Sequence, residues 1–409
     1  MKMKEYLEQY HLVCDEENTN ILIYSYSGFG KDLAKESYIE DFSKKNHKNF
    51  VYLNLLDTKK VSEACARMFK PSSKRITDHY QIEGLKKQGE DPIDYSDKCI
   101  LYHIDCPELR KHLRKNPMQP FTAFRLNIKD ILSNKRMLHF IFETDLNLRV
   151  IDLVIKYARK LKPHEDLKEL LNKIKENFPN DKTIIKQIDR FIKPLEPYVA
   201  PSNFKYNLNV EKIIRQRNLF HIWLFTYAND IKICDLVPYF IILKLLEIPK
   251  TKVKCPILID LDELRLFCPR ESDLPFKRFT TNLLSNFLSI ARGKNISVIS
   301  STQILSATNP IILRAFTSYF FGRLPVTELD FASRLVRMDN NELELVKQLP
   351  RNCFHLVGDP VSLNYGGYLF KFPRHYHANK DFDFYTWLEK ENPAFLRDSK
   401  KIIDEEFKI

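Results

Sequence analysis

The sequence predicts an α/β fold: a mostly parallel sheet with helices on both faces and a helical insertion. Three observations predict it. Short, near-continuous apolar runs alternate with helical stretches, as strands buried on both sides require. The alternation breaks once, at a long middle with helical periodicity. And 409 residues, 44% hydrophobic and 29% charged, provide a sizeable core in a globular rather than disordered chain.

Ile21-Leu22-Ile23 marks a strand at about 20–25, followed by a loop, a helix from near Asp32 and a second strand, Phe50 to Leu55. This is a β-loop-α-β unit. Ile100 to Ile104 and Met137 to Phe142 read as short strands. Leu146 to Leu161, Leu167 to Phe178 and Thr183 to Ile192 place apolar residues three and four apart between lysines and glutamates, so roughly 145–200 reads as a helical insertion closed by Pro197 and Pro201. The alternation resumes with a strand Phe220 to Phe225, a helix at 235–248, a strand Pro256 to Leu261 and a helix at 275–291. A strand Ile296 to Ser300, a helix at 309–316 and a strand Ser318 to Gly322 follow. Cys353 to Val357 and Gly367 to Phe372 read as an edge hairpin. Residues 1–60 are thus expected to begin the core, 61–205 to form an insertion, 206–380 to complete the core, and 381–409 to be a charged tail that packs late or frays.

Lysine and arginine outnumber acids by 65 to 53, a net charge of +12. That favours a polyanion partner such as nucleic acid, although a diffuse lysine excess is also a compositional habit. The eight cysteines form no C-x-x-C pair, and several lie in apolar runs as small buried hydrophobes. A reducing setting is simplest, so a cytoplasmic location is expected, in a host cytoplasm if the chain is viral or plasmid-encoded. Met1 to Glu8 has no apolar signal segment, and no run reaches the ~18 apolar residues of a membrane span. The longest candidate, Leu236 to Ile248, is interrupted by Pro238, Lys244 and Glu247 and reads as a buried helix.

The loop Tyr24-Ser25-Tyr26-Ser27-Gly28-Phe29-Gly30-Lys31-Asp32 lies close to the phosphate-binding pattern G-x-x-x-x-G-K-[ST], in which backbone N–H groups cradle phosphates, the lysine reaches the terminal ones and the hydroxyl binds Mg²⁺. Gly30 and Lys31 match; Ser25 replaces the first glycine and Asp32 the hydroxyl. Ser27, Gly28, Phe29, Gly30, Lys31 and Asp32 are therefore the candidate nucleotide-binding residues. Ser25 is tolerable if its backbone is ordinary, since that glycine serves the turn. Asp32 can ligate Mg²⁺ as a hard oxygen donor, weaken binding by its charge beside a triphosphate, or simply cap the helix.

A nucleotide site needs further parts. The strand ending Asp262-Glu263 offers an aspartate for Mg²⁺ or its water and a glutamate to polarise an attacking water; the plainer alternative is two acids opening a helix. Thr302-Gln303 closes a strand on the face where such sheets bind ligands, and Arg292 stands in an Arg-Gly-Lys turn. A strand-end cap and a solvated turn are the plainer alternatives.

In order and spacing, the loop, the insertion, the Asp-Glu strand, Arg-Gly-Lys, the Thr-Gln strand and "NPIILRAFTSYFFGRL" resemble the HerA/FtsK superfamily of P-loop ATPases, which includes type IV coupling proteins and viral packaging ATPases. The resemblance covers about 18–60 and 215–375, and its first motif is degenerate. It implies a RecA/FtsK-like P-loop NTPase fold, ATP and Mg²⁺ as cofactors, and a homo-oligomeric ring, a hexamer, around double-stranded DNA with nucleotide at subunit interfaces. Glu263 would be the catalytic base, Gln303 the sensor, Lys31 the charge neutraliser, Asp262 with Asp32 the Mg²⁺ partners, and Arg292 a finger acting on the next subunit's nucleotide. Arg314 and Arg323 are weaker finger candidates.

Three states are open: an active enzyme with unusual metal ligation, a nucleotide binder that hydrolyses slowly, and a pseudo-ATPase serving as a structural ring component. A signalling or defence ATPase that never moves DNA is a further alternative. His375 and His377 are better read as basic contacts than as metal ligands, because no cluster of donors joins them. Arg110, Lys111, Arg114 and Lys115 are candidates to track phosphates or to form a solvated face.

Overall fold

In the computed structural model, residues 20–26, 28–31, 34, 35, 38, 39, 42, 46, 49–56, 99–119, 121–146, 148–215, 219–223, 231–351, 353–358, 368–371 and 397–407 are described. Ser27, Asp32, His375 and His377 lie outside them.

Among the described residues ten strands make the main sheet: β1 (Asn20–Tyr24), β2 (Val51–Leu56), β3 (Cys99–Ile104), β4 (Phe121–Phe124), β5 (Leu219–Trp223), β6 (Ile257–Leu261), β7 (Ile296–Thr302), β8 (Ser318–Phe321), β9 (Cys353–Gly358) and β10 (Tyr368–Lys371). Their order is β10-β9-β8-β1-β7-β6-β2-β5-β3-β4. All pairings from β8 across to β4 are parallel, and β9 and β10 close the other side antiparallel. Every residue of β1, β6 and β7 is buried, the polar Asn20, Asp260, Ser300 and Ser301 included, which is why these strands read as near-continuous apolar runs. Tyr24 pairs with Thr302 on one side and Phe321 on the other, and Ser300 with Leu261. The ends of β1, β6, β7 and β8 therefore emerge together.

After β1 the chain turns into a helix whose described residues, Lys31, Ala34, Lys35, Tyr38, Ile39 and Phe42, recur at helical spacing and are all buried. That periodicity turns one face, two lysines included, toward the sheet. The helix Ile231–Glu247 is buried nearly all round, and no helix among the described residues is long and apolar enough to cross a membrane.

The structure corrects several expectations. Met137 to Phe142 is a helix, Lys135–Phe142, started by Asn134, whose side chain accepts from the amides of Arg136 and Met137, and stopped by Glu143 at φ 58°. Lys135, Arg136 and His139 form its outer stripe, but the run Met137 to Phe142 contains only the last of them, so the helical period does not show within it. The span 61–205 is only partly separate from the core, because β3 and β4 within it extend the main sheet. Its helices begin at Pro107–Lys115 and Ile128–Leu132, earlier than 145, and continue through Arg149–Arg159, Leu167–Asn177 and Lys182–Phe191. The helix at 309–316 shrinks to Pro310–Leu313, since the Tyr319 hydroxyl lies 2.8 Å and 3.0 Å from the carbonyls of Leu313 and Phe316 that a further turn would use.

Of the tail expected to pack late or fray, Arg397 to Phe407 is packed against the fold. Asp398 caps the helix Ser399–Glu406, and the Phe407 ring stacks at 5.3 Å on Tyr206. The Phe407 carbonyl accepts from Arg110 at 3.4 Å and Arg125 at 3.3 Å, and both guanidiniums also hold the buried Asp105 at 2.7 Å. Arg110 is thus engaged within the fold, while Arg114 and Lys115 are exposed.

Candidate active site

The loop after β1 needs its glycines: Gly28 has φ 80° and Gly30 φ 97°, in the left-handed region that side chains disfavour. The Phe29 amide donates to the Tyr26 carbonyl at 3.2 Å, and the Ala34 amide to the Gly30 carbonyl at 2.9 Å, which begins the helix. The loop thus opens onto a helix N-terminus, where free amides favour anions. Ser25 is fully buried and is not among the non-glycine residues with positive φ. It is accommodated because position 322 is glycine: a Cβ there would stand 2.4 Å from the Ser25 Oγ. Beside the loop, the Arg323 guanidinium lies 5.5 Å from the centre of the Phe29 ring.

Under the loop sits a buried charge cluster. Lys31, 7% exposed, donates from Nζ to Glu263 Oε1 at 2.7 Å and to Ser301 Oγ at 3.1 Å, and lies 3.6 Å from Asp262 Oδ1. Gln303 Nε2 donates to the same Glu263 oxygen at 2.8 Å. Ser301 Oγ donates to Asp262 Oδ1 at 2.5 Å. One turn along the helix, Lys35 Nζ lies 3.1 Å from Asp260 Oδ2 and 3.3 Å from Asp262 Oδ1. Tyr52 completes the array by donating to Asp260 Oδ2 at 2.6 Å. Removing one partner of such a buried pair costs about 3–5 kcal/mol, because a charge is left uncompensated.

Burial works against the charge on Asp262, yet Lys35 and Lys31, with the Ser301 hydrogen bond, outweigh it and hold the carboxyl well below the usual range. In Asp260, burial prevails and pushes the carboxyl up to about 6 despite Lys35. Glu263 sits at φ 50°, a left-handed conformation rare for a non-glycine residue. Strained backbone of this kind collects at functional sites. Its Oε1 is shared by Lys31 and Gln303, whereas Oε2 accepts no hydrogen bond and faces the Arg265 guanidinium at 3.5 Å.

The arrangement is poorly suited to a divalent cation. A metal placed on Asp262 would meet two ammonium groups within 3.6 Å of the same oxygen. That oxygen also accepts from Ser301 at 2.5 Å, so little of Asp262 is left for a cation. The described residues do not fit Mg²⁺ as a ligand set.

The structure thus brings together Lys31, Asp262, Glu263 and Gln303, with Gly28, Phe29 and Gly30 above them. Arg292 is placed elsewhere. It is exposed in the turn before β7, whose far end carries the site, so the length of the strand, about 20 Å, separates them. Lys294 fastens that turn by donating to the carbonyls of Leu246 and, at 2.7 Å, Ile248 at the end of the long helix. Sequence reasoning missed Lys35, Ser301, Asp260 and Tyr52. A signal for Lys35 was present: it shares its helical spacing with Ala34, Tyr38, Ile39 and Phe42, a face meant for the core.

No family model matches the sequence, and no curated protein matches it. Solved structures are similar to it in fold. The plasmid coupling protein TrwB in complex with ADP and Mg²⁺ superposes with a TM-score of 0.55 at 11% identity, over 88% of this chain and 87% of that one. TrwB with the non-hydrolysable ATP analogue ADPNP gives 0.54 at 10% identity, over 90% and 88%. VirB4 of Thermoanaerobacter pseudethanolicus gives 0.48 at 11% identity, over 84% and 87%, too distant to support more. The order of the strands, the loop after β1 and the two TrwB superpositions lead to one conclusion: the chain has the P-loop NTPase fold seen in the coupling protein TrwB.

Proposed function

We propose that the chain is an ATP-driven double-stranded DNA translocase or packaging motor of the HerA/FtsK type, hydrolysing ATP at the subunit interfaces of a ring, six-membered in the superfamily it resembles. The observation that carries the reading is the convergence of Lys31 and Gln303 on one oxygen of Glu263, at 2.7 Å and 2.8 Å, directly beneath the glycine loop. The fold shared with TrwB, a conjugative coupling protein, supports it, as does the net charge of +12.

In this reading the loop amides and Lys31 take the phosphates of ATP. Lys31 then leaves Glu263, whose carboxylate is free to accept a proton from the attacking water while Gln303 orients that water. Arg292, about a strand's length from its own site, acts on the nucleotide of the adjacent subunit. The test is ATP hydrolysis with and without double-stranded DNA, beside Lys31→Ala. Turnover stimulated by DNA and abolished by the substitution supports the motor. Turnover indifferent to DNA points to a signalling or defence ATPase.

A second reading rests on the same contact. Glu263 holds Lys31 and Asp32 replaces the hydroxyl, which favours a non-catalytic ring component. An assembled protein that binds DNA without turnover would establish that reading and overturn the first.

A further inference from the structure

We propose that Lys35 supplies, from within the chain, the positive charge that a divalent cation ordinarily brings to the aspartate of a phosphate-loop site, so that this chain holds a nucleoside triphosphate with little dependence on Mg²⁺. The proposal rests on the nucleotide-site reading above and concerns how that site is neutralised.

In phosphate-loop NTPases the metal is held between a loop Ser or Thr hydroxyl and a strand-end aspartate. Both partners are altered here. The hydroxyl position carries Asp32 in the sequence, and the strand-end aspartate, Asp262, is already bound. Its Oδ1 accepts from Ser301 at 2.5 Å and faces Lys35 at 3.3 Å. Lys35 also reaches Asp260 at 3.1 Å and is 3% exposed. A buried ammonium between two buried carboxylates does not withdraw readily, because withdrawal strands all three charges.

Lys31 is different. Its main acceptor, Glu263 Oε1, keeps a second donor in Gln303, so the lysine can turn to phosphate and leave the glutamate hydrogen-bonded. Lys31 thus serves the ligand and Lys35 serves the carboxylates. The helix puts the two one turn apart on one face, so a single element delivers both charges.

The test measures ATPγS affinity by isothermal titration calorimetry in excess EDTA and in excess MgCl₂. For the wild-type chain the two dissociation constants should agree within about threefold. Lys35→Met should bind at least about tenfold more weakly in EDTA and recover in MgCl₂, whereas Lys35→Arg should behave as wild type. Because Lys35→Met takes a buried cation from beside Asp260 and Asp262, Lys35→Met/Asp260→Asn is measured beside it, with circular dichroism melts reporting on folding. Wild-type binding that needs Mg²⁺ overturns this proposal and leaves the nucleotide site standing. Undiminished EDTA binding by the folded double variant also overturns it. Absence of binding in both conditions overturns the nucleotide reading and this proposal with it.

Discussion

Gly322→Ala should destabilise the chain, and Ser25→Gly should rescue it. A methyl group at 322 would stand 2.4 Å from Ser25 Oγ, 2.6 Å from Ser25 Cβ and 3.0 Å from a Phe354 ring carbon. Comfortable carbon contacts are about 3.5–4.0 Å, so the overlap is about 1 Å on one side of a closed space. Neither wall gives way easily. Ser25 is fully buried, and the Gly322 amide donates to the Tyr24 carbonyl at 2.7 Å. Overpacking of this kind costs about 1–3 kcal/mol. Gly322 has no positive φ, so its backbone alone would accept alanine.

Ser25 Oγ has no hydrogen-bond partner, so Ser25→Gly forfeits no hydrogen bond and costs only about 0.5–1 kcal/mol of backbone entropy. Urea denaturation of the wild type, both single variants and the double variant closes a double-mutant cycle. The coupling should exceed about 1 kcal/mol in the direction of rescue. If Gly322→Ala costs the same in both backgrounds to within about 0.5 kcal/mol, the steric account of the missing loop glycine is wrong.

Three further outcomes are expected. Glu263→Gln should lower ATP hydrolysis by about 10²–10⁴-fold while calorimetry finds ATPγS affinity retained, since the amide keeps a hydrogen-bonding oxygen but cannot take a proton. Burial pushes the Asp235 carboxyl up to about 7 although Lys277 opposes it, so the stability it contributes is fully present below its unfolded value near 4 and is lost as pH rises through about 7. Melting temperatures across that window should therefore fall for the wild type relative to Asp235→Asn; a parallel pair of curves would contradict the linkage. Lys294→Ala should cost about 1–2 kcal/mol in urea denaturation, because the ammonium donates to the last carbonyls of the helix Ile231–Glu247.

How much of this was legible in the sequence depends on which physical signal each part leaves. Strands β6 and β7 announce themselves as apolar runs, and their polar ends, Asp262-Glu263 and Thr302-Gln303, mark the edge where ligands bind. The glycines of the loop are legible because only glycine accepts φ of 80° and 97° cheaply. The spacing of Lys35 marks it as facing the core, but its role was not legible, since a lysine in a helix is ordinarily solvated and its two carboxylate partners lie some 225 positions away in the chain. The joining of β3 to β5 depends on a pairing across more than a hundred residues, which no local pattern records. Met137 to Phe142 misled because six residues with one polar position, His139, are too few to separate a helix from a buried strand, and the exposed Lys135 and Arg136 lie before them.

The docking of Ser399–Glu406 has a consequence beyond the contacts of Phe407. Among the described residues strand β4 is the last of eight parallel strands, and its outer row of amides and carbonyls has no partner strand there within the main sheet. Such a row is a template for another chain. The docked helix packs beside β4, and Arg397 and Asp398 pair with the neighbouring residues Met118 and Gln119. The segment therefore acts as a guard against self-association. Damage to its anchor would show itself first as precipitation of copies joined strand to strand, while the chemistry at the far side of the sheet stayed intact.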